Sequence, residues 1–185
     1  MDLILTEEDY NQMEEIHKDF SKQHDKFMLD TSSESNLQTI LRAHLYIEYE
    51  LEKMLLSTLV HPEILKGKLR FIDKVRFVFA LDLLPLETMS SILKINKLRN
   101  AFAHELEYSF SEADFDQLME SFSEEQKKKL PSYLSSETVI DISEKLKMAL
   151  FTVWIELYEV NNISKELAEK LQRNLENIKK NKKVI

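Results

Sequence analysis

The chain has 185 residues, a net charge of −8, one glycine (Gly67), three prolines and no cysteine. An average chain of this length carries about 13 glycines, so the shortage excludes Gly-rich phosphate loops, dinucleotide fingerprints and nucleophile elbows, which need several glycines at fixed offsets. Hairpin turns needing positive φ are disfavoured, disulfides, thiol catalysis and thiolate-bound zinc are excluded, and the acidic balance argues against a protein that coats nucleic acid.

Thr6 with Asp9 three residues later resembles a capping box and predicts a first helix to about residue 27, with Tyr10, Met13, Ile16, Phe20 and Phe27 on the helical period. Residues 30–35 read as a loop rich in N-cap residues. A long second helix is expected over 35–59, with a stripe of Leu37, Leu41, His44/Leu45, Glu48, Leu51/Glu52, Leu55 and Leu59. Pro62 and Gly67 punctuate the next loop. A third helix is expected over 69–83, and Pro85 stops it or opens the next element. A fourth helix is expected over 87–103, with Met89, Ile92, Leu93, Ile95, Leu98 and Phe102 as its core side. Residues 109–135 read as short helices or irregular structure, with 124–129 a solvated helical turn ended by Pro131. A fifth helix over 137–160 carries Ile140, Ile142, Leu146, Leu150, Val153, Trp154 and Leu157, and an amphipathic last helix over 164–180 leads into a lysine-rich end.

Neither an internal repeat nor a linker interrupts this pattern. It predicts a single all-α domain over 1–185, an antiparallel helical bundle with its core at about 34–160. The acidic N-terminus lacks the apolar run of a signal peptide, and runs such as Phe77-Val78-Phe79-Ala80-Leu81 are far shorter than the roughly 20 residues of a membrane span. A soluble, cytoplasmic protein with no membrane partner is expected.

The stretch with the most chemistry is Lys97-Leu98-Arg99-Asn100-Ala101-Phe102-Ala103-His104, where the apolar pattern of the fourth helix stops. Arg99 is a permanent cation suited to phosphate, and His104 exchanges a proton near neutral pH. A base that removes a ribose 2′-OH proton and a guanidinium that neutralises charge on the phosphorus oxygens are the minimum parts for phosphoryl transfer. Five residues on an ideal helix separate the two side chains by about 140°, so they converge only if the helix ends between them or if they act across a dimer axis. The alternative is local: both cations cap the helix C-terminus and interact with its dipole.

Residues 95–104 resemble the R-x4-6-H signature of the HEPN superfamily, in which a polar residue follows the arginine, as Asn100 does here. Residues 42–55, Arg-Ala-His-Leu-Tyr-Ile-Glu-Tyr-Glu-Leu-Glu-Lys-Met-Leu, resemble the long second helix of the mannitol-repressor-like branch. The resemblance implies a helical bundle that dimerises, with two motifs facing a shared cleft. It implies a metal-independent endoribonuclease, with no cofactor, that leaves a 2′,3′-cyclic phosphate and serves in toxin–antitoxin pairs or phage defence. Arg99 then holds the scissile phosphate, His104 is the general base or acid, Asn100 orients one of them, and Glu48 and His44 position Arg99. Lys97, Arg42 and Lys94 are the RNA-contact candidates, and an antitoxin is a possible protein partner. The mannitol-repressor-like branch keeps a similar motif but implies regulation by protein contact, so a non-enzymatic regulator is the alternative. One Glu-x-x-His unit, Glu14 to His17, falls short of the two that a di-iron bundle requires, and no metal site is expected.

Overall fold

The computed structural model describes residues 7–33, 35–65, 67–130 and 141–164, and every regular element among them is helical. The helices are α1 (Glu7–Asp30), α2 (Asn36–Thr58), α3 (Phe71–Ala80), α4 (Met89–His104), α5 (Glu112–Glu120), α6 (Glu124–Lys129) and α7 (Ile142–Glu159). Short 3-10 turns stand at Pro62–Ile64 and Leu86–Thr88, and α7 closes in a π turn over Val160–Ser164. Thr6, Pro131, the start of the expected fifth helix at 137–140 and the chain from residue 165 onward lie outside the described residues.

Helix α2 is the axis of the bundle. Antiparallel α1 is tied to its start by Thr39 Oγ1, which donates to the Thr31 carbonyl (3.1 Å). Helix α7 runs with α2: Asp141 and Ser143 share a cleft with Thr39 at one end, and Asn161 Nδ2 donates to the Glu50 carbonyl and carboxylate (2.9 and 2.7 Å) at the other. On the opposite side Phe71 packs on His44, and one turn later Lys74 reaches Glu48 and Glu52, so α3 climbs α2 in the same direction. Helix α4 returns against it, with Ser91 near the end of α7 and Asn96 at His44.

Between these helices Ile40, Ile47, Leu51, Val75, Val78, Ile92, Ile95, Leu146, Leu150, Val153 and Leu157 are fully buried, each aliphatic side chain worth about 2 kcal/mol of burial. A second layer is aromatic: Phe27 stacks on Trp154 at 4.6 Å and 11°, ringed by Tyr46, Phe151 and Tyr158. Trp154 is therefore core, and its burial removes it as a platform for a stacked base.

Three local findings refine the sequence reading. The buried face of α2 runs through Ile40, Ala43, Ile47, Leu51 and Met54, while Leu45 and Tyr49 are 57% and 63% exposed. The helix carries apolar residues round most of its circumference, and the helices packed on it from two sides leave the strip of Leu45 and Tyr49 in solvent. Helix α3 ends at Ala80 because Asp82 adopts φ 54. Leu83 N–H then bonds the Val78 carbonyl (3.0 Å) and Asp82 N–H the Phe79 carbonyl (3.2 Å), the Schellman closure that usually employs glycine. Helices α5 and α6 both open with reciprocal capping boxes, Ser111 with Asp114 and Ser123 with Gln126.

Candidate functional site

Helix α4 places the motif. Its buried side is Ser91, Ile92, Ile95 and Leu98, so Arg99 follows Leu98 onto the flank that faces α2. There it is half-buried, and its Nη1 donates to Asn100 Oδ1 (3.0 Å). His104 occupies the last turn, exposed, where the Glu105 N–H closes the helix on the Ala101 carbonyl (2.9 Å). Because α4 stays helical through both residues, they keep the divergence of about 140°, and no hydrogen bond joins them within one chain.

The flank beside Arg99 is a built polar cluster. His44, 4% exposed, donates from Nε2 to Asn96 Oδ1 (3.1 Å) and packs its ring on Phe71 (4.2 Å between centroids). Its Nδ1 stands 4.0 Å from Glu48 Oε2. The other Glu48 oxygen accepts from Lys74 Nζ (2.8 Å), which also donates to Glu52 Oε2 (2.8 Å). The Lys74 side chain is 6% exposed; burial opposes its charge, but the two carboxylates outweigh this and hold the ammonium above the ordinary lysine value. Burial, above all, pushes the His44 imidazole below its ordinary value. The charges of Arg99 and Lys74 push the same way, against the Asn96 bond and Glu48.

The expected site residues thus separate into groups. His44 comes within the electrostatic reach of Arg99. Glu48 is committed to Lys74 rather than to Arg99. Lys97 is exposed on α4, whereas Lys94 turns to Gln117 of α5 (2.7 Å), where burial and then Lys97 lower its proton affinity. Arg42 is exposed on the other shoulder of α2, near Tyr46, whose hydroxyl bonds Asp30 of α1 (2.6 Å). Arg42 therefore points away from the Arg99 flank.

Lys74, Asn96 and Phe71 were not legible as site residues. The signal for Lys74 was present: a lysine on the apolar stripe of the third helix, one turn from both Phe71 and Val78. It complements Glu48, the carboxylate that stands out on the stripe of the second helix. Among the described residues no group of three or more His, Cys, Asp or Glu side chains converges as a metal site, and no helix is long and apolar enough to cross a membrane. No family model, no curated protein and no solved structure matches this chain.

Proposed function

We propose that this chain is a metal-independent endoribonuclease of the HEPN type, acting as a homodimer in the cytoplasm in a toxin–antitoxin or phage-defence setting. Arg99 holds the scissile phosphate. His104 takes the 2′-OH proton, the 2′ oxygen attacks phosphorus, and the bond to the 5′ oxygen of the next nucleotide breaks as that oxygen takes a proton from water, giving a 2′,3′-cyclic phosphate. Asn100 orients the guanidinium through its 3.0 Å bond, and Lys97 meets the backbone of the RNA.

The observation that carries this reading is the contrast within the motif: a half-buried, oriented arginine and an exposed histidine in the last turn of one helix. Their divergence calls for a second copy, so that Arg99 of one chain and His104 of the other can share a groove. The test is cleavage of a panel of structured and single-stranded RNAs in chelator by the wild type, His104→Ala and Arg99→Ala. Both substitutions are expected to lower the rate at least about 100-fold with unchanged circular dichroism. Equal, background-level cleavage by all three proteins sinks the enzyme reading.

A second reading, a non-enzymatic regulator similar to the mannitol repressor, is favoured by the surface around His104. Glu105 and Glu107 are exposed there, and carboxylates repel a nucleic-acid backbone. It predicts one stoichiometric protein partner and no cleavage after that partner is removed.

A further inference from the structure

Glu48 stands between two basic groups. Its Oε1 is 2.8 Å from Lys74 Nζ and its Oε2 is 4.0 Å from His44 Nδ1. Lys74 is almost enclosed, and it also holds Glu52, so two carboxylates one helical turn apart share one ammonium. His44 is pinned from the other sides, with Phe71 against its ring and Asn96 Oδ1 on its Nε2–H. An imidazole that donates from Nε2 and is neutral leaves Nδ1 bare. The charged groups facing it are Glu48 on its own helix, Lys74 from α3 and Arg99 from α4.

We propose that Lys74 is the positioning residue of this flank: by engaging Glu48 it keeps that carboxylate from closing on His44 Nδ1, and so leaves a neutral imidazole fixed on Asn96 beside Arg99. Without Lys74, Glu48 and Glu52 repel each other, and Glu48 gains most by swinging to Nδ1. A carboxylate there draws a second proton onto the ring, because an opposite charge at hydrogen-bond distance favours the charged form. The imidazolium, itself buried, then stands within the electrostatic reach of the Arg99 guanidinium. Two cations side by side push α4 away from α2 at the turn that carries the motif. The effect on RNA cleavage rests on the endoribonuclease reading; the charge arrangement does not.

The test is nitrogen-detected NMR of the His44 ring across the neutral and mildly acidic range, on the full chain. The wild type is expected to show the neutral Nε2–H form at neutral pH. Lys74→Met is expected to bind the His44 proton about tenfold more tightly, and Lys74→Arg to return it toward the wild type. Glu48→Gln is expected to bind it less tightly than the wild type, because the attraction for the proton is gone while Lys74 and Arg99 remain. This last direction is diagnostic, since simple loosening of the cluster would expose the ring and move every variant toward ordinary histidine. If Lys74→Met does not fold, Glu48→Gln and Lys74→Arg decide alone. Unchanged or tighter proton binding in Glu48→Gln overturns the proposal. Expected NMR shifts with no RNA cleavage by any variant would leave the positioning role standing and remove the endoribonuclease reading.

Discussion

Helix α4 is held by two polar clusters of different kind. At its start Ser91 meets Gln126, whose Nε2 donates to Ser91 Oγ (3.0 Å) and Glu156 Oε2 (2.8 Å) while its Oε1 caps α6 through the Ser123 N–H (3.1 Å). Toward its end Asn96 meets His44 and the Lys74–Glu48–Glu52 group. The first cluster joins three helices around an amide with every polar atom engaged. The second buries an ammonium between two carboxylates next to the motif. Ions in an interior are costly to bury and often add little net stability, whereas a satisfied amide ties elements together with a smaller desolvation cost. The two ends of α4 therefore differ in what organises them, an amide at Ser91 and an ammonium near Asn96.

The comparison breaks most readily at Lys74. Lys74→Met removes the buried ammonium that Glu48 and Glu52 share and is expected to lower stability by about 3 kcal/mol. The triple neutral variant Lys74→Met, Glu48→Gln, Glu52→Gln should regain most of this, and urea denaturation of both proteins measures the difference. Equal losses in the two would show that packing, not charge, dominates there.

Next is Gln126→Ala, expected to cost about 2 kcal/mol by leaving Ser91, the Ser123 N–H and Glu156 without their partner. Glu156→Gln sharpens the point through pH. Burial holds the Glu156 carboxyl above its usual value, against the Gln126 bond and Lys129. A group raised in the fold adds stability that is complete below its unfolded value and is lost as pH rises through the raised one. Glu156→Gln should therefore melt at or above the wild type at neutral pH, with the difference shrinking in mild acid. A variant that loses stability equally at all pH values would overturn this account.

The smallest effect is expected outside both clusters, at Asp82. Its φ of 54 is a conformation glycine adopts without strain, so Asp82→Gly should stabilise by about 0.5 kcal/mol. No change in the melting temperature would mean that the aspartate carries no strain there.

The first of these clusters was hidden by the polarity of its own segment. Glu124-Glu125-Gln126-Lys127-Lys128-Lys129 reads as a solvated turn, yet Gln126 is fully buried. In the fold Ser123 and Gln126 form the capping box that opens α6, and the same Gln126 side chain reaches Ser91 and Glu156, 35 and 30 residues away in the chain. Helix α1 runs one turn past Phe27, where Thr31 bonds back locally to the Phe27 carbonyl (2.7 Å) and Asp30 receives the hydroxyl of Tyr46 from α2.

By itself the sequence determined the helical class, the buried stripe of α4 through Ile92, Ile95 and Leu98, and the position of Arg99 and His104 at the end of a helix. These follow from periodicity and from the lack of glycine, both local properties of the chain. Tertiary structure decided which apolar residues of α2 are covered, that Glu48 answers Lys74, and that the charge of Arg99 acts on the His44 ring. The physical reason is that a helical repeat fixes which residues share a face, while the partner that the face meets is set by how whole helices pack.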